Sequence, residues 1–170
     1  MGGMHAHVIL AAGQGTRMRS RLPKVLHPLL GKPMLLYALE AALALKPERL
    51  VVVVGHGGEK VVEALEGYPV EVAWQKEQLG TAHALLQAEG LLRDFPGPFL
   101  VTQGATPLLS PRTLEALLRR VREGAGMALL TAELPDPTGY GRILREGEEV
   151  LGNVEEKDAP PEVRAIREVN

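Results

Sequence analysis

The chain has no cysteine, few aromatic residues and no long apolar run, and each shortage removes a class of protein. Without cysteine there is neither a disulfide framework nor a thiolate metal site. Aromatics make up 4% of the 170 residues, too few for a platform on which single-stranded nucleic acid stacks. The apolar runs, such as residues 50–54, fall far short of the roughly 20 residues a membrane-spanning helix needs. An excess of one charge is also missing. Nineteen Lys and Arg against 21 Asp and Glu leave a net charge of −2, which argues against a nucleic-acid partner. The start, M-G-G-M-H-A-H, runs directly into an apolar stretch and does not read as a secretory leader. The expectation is a cytoplasmic protein with no nucleic-acid and no membrane partner. With 45% apolar residues, it has the material for one globular domain with a substantial core and no internal boundary.

What is present is a glycine-rich junction at residues 8–24, V-I-L-A-A-G-Q-G-T-R-M-R-S-R-L-P-K. Residues 8–12 read as a buried strand. Gly13 and Gly15 then let the backbone turn and approach a ligand closely. Successive N–H groups in such a turn form an anion-binding concavity. Arg17, Arg19, Arg21 and Lys24 follow, cations suited to neutralising phosphate. The chemistry implied is a bound polyphosphate. A dinucleotide fingerprint would need G-x-G-x-x-G and an acid after the second strand. Here Met18 occupies the third glycine position, and Gly55-His56 follows the second strand. A P-loop would need Ser or Thr after Gly-Lys, but Gly31-Lys32 is followed by Pro33.

Along the chain, strands are expected at 50–54, 70–74, 99–102 and 127–134. Helices are expected at 29–44, with Pro33 as first helical residue, and at 59–66, 81–93 and 162–168. A further helix runs from a Ser110 N-cap and Pro111 to Arg122. The alternation predicts an α/β fold, three-layered and Rossmann-like, with a mostly parallel sheet and helices on both faces. Residues 141–144 and 150–155 read as a small C-terminal hairpin. Ligands of such sheets sit beyond the carboxyl ends of the strands, where Gly13, Gln75 and Gly104 would lie. His5 and His7 share one strand face, as a metal pair would, but neither has a third ligand nearby in sequence; His27, His56 and His83 are read as structural or as supports for residues that touch the ligand.

A second stretch, W-Q-K-E-Q-L-G-T-A-H-A at 74–84, sits where a strand meets a helix. The Gln75 amide offers a donor and an acceptor, able to match an imide edge such as that of uracil. Alone it would be a polar loop with a helix cap.

Taken together, L-A-A-G-x-G-T-R-M, L-P-K-V-L-H-P-L-L-G-K-P-M, Q-x-x-x-x-G-T-A-H-A, G-Y-G-R-I and V-E-E-K-D-A resemble the nucleotide-sugar pyrophosphorylases of the MobA-like NTP transferase superfamily. The likeness is to the N-terminal domain of the bacterial bifunctional N-acetylglucosamine-1-phosphate uridylyltransferase/glucosamine-1-phosphate acetyltransferases. It implies the nucleotide-diphospho-sugar transferase fold over residues 1–170. The implied partners are UTP, N-acetylglucosamine 1-phosphate and the cell-wall precursor UDP-N-acetylglucosamine. The resemblance further implies a nucleotide site from Leu10, Ala11, Gly13, Gly15, Thr16, Gln75, Gly80 and Thr81. Arg17 and Lys24 would be the catalytic cations on the triphosphate, and Gly104, Gly141, Glu155 and Asn170 would contact the sugar.

Two departures stand against the family pattern. Its G-D-x-P-L motif, whose aspartate holds Mg²⁺, reads Gly104-Ala105-Thr106-Pro107-Leu108 here. A methyl group cannot ligate a hard cation. Mg²⁺ is therefore expected of the family, while Ala105 leaves this chain without that ligand. The chain also reads as truncated at its C-terminal end, without the acetyltransferase β-helix. Two alternatives stay open: a binding module without catalysis, and a cytidylyl- or thymidylyltransferase. Because trimers in the family form through the β-helix, this chain is expected to be a monomer or a weak oligomer. Sedimentation at micromolar concentration should give the monomer mass, and a stable trimer would contradict the expectation.

Overall fold

The computed structural model describes residues 4–13, 22–55 and 57–169. Its architecture grows from the strand β1 (Ala6–Ala11), in which all six residues are buried. A strand covered on both faces reads as a continuous apolar run, as the sequence does here. It pairs in parallel with β4 (Arg49–Val54) on one side and β6 (Phe99–Gln103) on the other. β5 (Glu71–Trp74) adds beyond β4, giving a parallel sheet in the order β5-β4-β1-β6. The helices α1 (Met34–Ala44) and α2 (Glu59–Ala64) cover one face. Leu35, Leu39 and Val61 pack there with Ile9, Ala11, Val52 and Val54. On the opposite face Val8, Leu10, Val51 and Val53 meet Ala84 and Ala88. Those two alanines belong to the segment of α3 (Thr81–Leu86) and α4 (Glu89–Leu92). Side chains alternate between the two clusters because successive strand residues point to opposite faces.

The chain contacts divide into two compact units, Met1–Gly124 and Ala125–Asn170. In the first, helix α5 (Pro111–Arg122) begins as the sequence predicts, with Ser110 Oγ accepting the Thr113 N–H at 3.2 Å and Pro111 in the first turn. Leu114 and Leu118 seat it on Leu100. Several expectations shift, in both units. The helix expected over 29–44 starts at Met34, because Pro28–Leu29 and Lys32–Pro33 form a two-stranded hairpin, β2 and β3. Leu30 and Gly31 turn it with φ of 52° and 81°, the positive pair that two-residue hairpin turns need. The expected helix over 81–93 breaks into α3 and α4. The apolar stretch 127–134 does not form a strand of the parallel sheet. Only β7 (Ala132–Glu133) is extended, and Met127 is exposed.

The second unit is a small antiparallel sheet. Its hairpin is β8 (Arg142–Glu146) with β9 (Glu149–Val154), turned by Gly147 at φ 62°. The helix expected over 162–168 is only α6 (Pro161–Arg164), because Glu168–Val169 become β10 and pair with β7 and β8. The strand order is β7-β10-β8-β9. Composition alone does not reveal such a ladder partner. Arg145 Nε donates to both Glu168 carboxylate oxygens, at 2.6 and 2.8 Å, and Thr131 Oγ1 donates to Oε1 at 2.6 Å. Arg145 foremost, then Thr131, holds the Glu168 carboxyl down to about 2. Among the described residues no helix is long and apolar enough to cross a membrane.

His7 lies fully buried in β1, its Nε2 2.8 Å from Thr102 Oγ1, while Nδ1 has no hydrogen-bond partner among the described residues. Burial, with a smaller contribution from His5, pushes its pKa from 6.5 down to about 4. The unfolded chain therefore binds this proton more readily than the folded one. The stability concerned is fully present above pH 6.5 and is lost as pH falls towards 4, a total on the order of 3 kcal/mol. Urea midpoints measured between pH 7.5 and 4 should fall over this window, and His7→Gln, whose amide can still reach Thr102, should flatten the slope. The Glu168 contribution is lost lower, from about 4.5 towards 2, so a His7→Gln chain with an unchanged slope above pH 4.5 would contradict the assignment.

Candidate functional site

Chain order reverses at β1, since β4 and β5 lie to one side and β6 to the other. At such a switch point the loops leaving neighbouring strands part, and a crevice opens beyond their carboxyl ends. A cavity of about 150 Å³ lies there, lined by Leu10, Ala12, Gly13, Gln75, Gln78, Gly80, Thr81, Ala84 and Gln103. Cavities of about 150 Å³ in protein interiors accommodate a benzene-sized ring, so the space suffices for a flat ring.

Each wall has a local cause. Leu10, Ala12 and Gly13 come from the end of β1 and the residues after it, and Gln103 closes β6. Gln75 follows β5 directly and extends its ladder, its N–H donating to Val54 O at 2.7 Å. Its side chain is buried. Gln75 Nε2 donates to Gly80 O at 3.1 Å and lies 3.0 Å from His83 Nδ1. Gly80 has φ 102° and ψ 180°, a region close to glycine-only. That conformation aims its carbonyl at both the Gln75 amide and the Ala84 N–H, which it accepts at 3.0 Å. Gly55 brings the end of β4 against the β1 exit, where a Cβ would lie 2.5 Å from Ala12 O and 2.7 Å from Gln78 Nε2.

Of the residues expected at a nucleotide site, Leu10, Gly13, Gln75, Gly80 and Thr81 therefore line one cavity. Ala11 instead points to the opposite face of β1, buried with Ile9 and Leu39. Lys24 opens a single 3-10 turn, Lys24–Leu26, and is exposed. Gly15, Thr16 and Arg17 lie outside the described residues, as does Asn170. Gly104 is buried and donates its N–H to Leu10 O at 2.8 Å, tying the β6 exit to β1. Ala105 next to it packs partly against the core beneath α1.

Gly141 and Glu155 belong to the second unit, where Asn153 Nδ2 donates to Glu155 Oε1 at 3.2 Å. A Cβ on Gly141 would fall 2.5 Å from Asn153 Oδ1, so a larger residue there would have to push the exposed Asn153 amide aside. The buried Arg142 organises this region: Nη1 donates to Tyr140 O and to Glu156 Oε2 (3.1 Å), and Nε to Arg164 O (3.3 Å). Glu156 also accepts the Gly139 N–H. That backbone bond foremost, with Arg142 adding to it against the opposing effect of burial, holds the Glu156 carboxyl below its usual range. Gln78, Ala84 and Gln103 were not singled out from the sequence; the first two lie within the motif at 74–84, and Gln103 directly precedes Gly104.

Comparison with known proteins identifies the family and the fold. The chain is 99% identical over 167 residues to the bifunctional protein GlmU of Thermus thermophilus, covering 98% of this chain and 37% of that protein. It is 54% identical over 166 residues to the bifunctional protein GlmU of Syntrophotalea carbinolica, covering 97% of this chain and 36% of the relative. The chain thus spans little more than a third of the length of these curated relatives. In fold it is similar to a UDP-glucose pyrophosphorylase solved with UDP-glucose, at 21% identity and a TM-score of 0.78, covering 98% of this chain and 74% of that one. Residues 7–159 match the family described as the MobA-like NTP transferase domain. The chain belongs to that family of nucleotidyltransferase domains, and its parallel sheet carries the family's fold.

Proposed function

We propose that this chain is the nucleotide-handling part of a UTP:N-acetylglucosamine-1-phosphate uridylyltransferase, with both compact units in one cytoplasmic nucleotidyltransferase domain. The observation that carries this reading is that two motifs some sixty residues apart in sequence, Leu10 to Gly13 and Gln75 to Thr81, line one cavity. In the reaction a phosphate oxygen of N-acetylglucosamine 1-phosphate attacks the α-phosphorus of UTP. The new P–O bond gives UDP-N-acetylglucosamine, and the bond to the bridging oxygen breaks so that pyrophosphate leaves with the electron pair. Such chemistry depends on positioning and charge neutralisation, with no side-chain nucleophile. The uracil ring occupies the cavity beside Gln75 in this reading. The backbone at Gly13, Gly15 and Thr16 holds the triphosphate together with Arg17 and Lys24. The family resemblance is what assigns sugar contacts, to Gly104 in the first unit and to Gly141, Glu155 and Asn170 in the second.

The family chemistry is metal-assisted, and Mg²⁺ is the cation this reading expects, but position 105 does not fit it. Ala105 offers a methyl group partly packed on apolar side chains, whereas Mg²⁺ takes oxygen ligands. Among the described residues no group of three or more His, Asp or Glu is gathered to hold a metal. Ala105 favours a second reading, in which the chain binds nucleotide without turnover.

Two measurements follow. Pyrophosphate release from UTP and N-acetylglucosamine 1-phosphate, assayed with Mg²⁺, should be about 10²–10³-fold faster in Ala105→Asp than in the chain as it stands. Equal turnover would show that the carboxylate is not needed, and no turnover by either would favour the binding reading. Calorimetry with UTP should show Gln75→Ala binding weaker by about 1–3 kcal/mol, because the base edge loses its partner. Unchanged affinity would remove the base from this cavity.

A further inference from the structure

Gln75 has one amide oxygen and two amide hydrogens, and the cavity fixes which of them meets a ligand. Gly80 O can only accept, so the atom 3.1 Å from it is the amide nitrogen and not the oxygen. The second hydrogen of that nitrogen is aimed at His83 Nδ1, 3.0 Å away. Nδ1 must then carry a lone pair, which places the imidazole proton on Nε2. Gln87 Nε2 approaches His83 Nε2 only to 3.4 Å and gives its better hydrogen bond to His83 O, at 2.9 Å. The Gln75 contact therefore decides the tautomer. With both hydrogens engaged, the Gln75 oxygen is the amide atom left for a ligand in the cavity that Gln75 lines.

We propose that His83 is a positioning residue that sets base specificity by holding the Gln75 amide oxygen towards the base. The proposal rests on the reading of this cavity as a uracil site. An amide oxygen accepts a hydrogen bond from uracil N3–H, whereas the N3 lone pair of cytosine would face it oxygen to nitrogen with no proton between. Gly80 alone leaves the amide one anchor, about which its plane can swing. His83 supplies the second anchor and consumes the hydrogen that could otherwise be offered to cytosine. His83 itself need touch no substrate, and the α3 turn between Thr81 and Leu86 brings its ring beside Gln75.

The test uses the full chain and three variants: His83→Ala, His83→Asn and Gln75→Ala. Asn places its Oδ1 near the position of Nδ1 and can accept the same hydrogen. Calorimetric affinities for UTP and CTP should show a UTP preference in the native chain. His83→Ala should reduce that preference about tenfold, and His83→Asn should keep it within about threefold. Melting temperatures confirm that each variant is folded, and nitrogen-15 NMR of the native imidazole should find Nδ1 proton-free and Nε2 protonated. A native Nδ1–H, or an unchanged UTP:CTP ratio in a folded His83→Ala, overturns the role of His83. Equal native affinities for UTP and CTP, unaltered by Gln75→Ala, overturn the uracil reading and the proposal with it, whereas a preference abolished by Gln75→Ala but untouched by His83→Ala overturns the proposal alone.

Discussion

Everything in the first unit depends on β1 being buried on both faces and on both edges. Its six residues are covered by helices above and below and by parallel partners at either side. A strand so enclosed has no free backbone groups along its length, and its register is fixed by two ladders at once. Its carboxyl end is consequently held still, and the chain leaving it at Ala12 and Gly13 emerges at a defined point. The cavity is located there because the neighbouring connections turn away in opposite directions. Rigidity of the scaffold and openness of the site are thus two results of one topology.

The walls of the cavity show how a polar site is kept ordered within an apolar fold. Gln75 is buried, and a buried amide is costly unless its hydrogen bonds are made. Two protein acceptors satisfy its nitrogen, and one of them exists only because glycine at position 80 adopts a backbone that other residues resist. The same Gly80 carbonyl takes an N–H of the following helix, so helix start and side-chain orientation are coupled. In the second unit, Arg142 plays a comparable part for G-Y-G-R-I and V-E-E-K-D-A, joining the two segments through Glu156.

Much of this was legible in the residues. Short apolar runs followed by glycine marked β1 and β4, and Ser110-Pro111 marked the start of α5, because those signals are local. The parallel order of the sheet followed from the alternation of elements. What was not legible depended on partners far along the chain. The stretch 127–134 is as apolar as a buried strand, yet only Ala132–Glu133 find a ladder, and they find it in Glu168–Val169, at the end of a stretch read as helix to 168. The two-residue strands around Leu30 and Gly31 carry too few side chains for periodicity to register. At the site, the motifs identified Gln75 and Gly80 and read His83 only as structural or supporting, since which side chain it orients depends on a 3.0 Å contact that no spacing encodes. Arg142 and Glu156 escaped notice for the same reason, their pairing being a tertiary event.

The central claim is that the crevice at the β1 switch point takes the base of a uridine nucleotide. Titrating the nitrogen-15-labelled chain with UTP and following backbone amide shifts tests it most directly. The account predicts saturable shifts concentrated at Leu10, Gly13, Gln75, Gly80 and Thr81, with little change along α5. Shifts confined to other surfaces, or none at millimolar UTP, would contradict it.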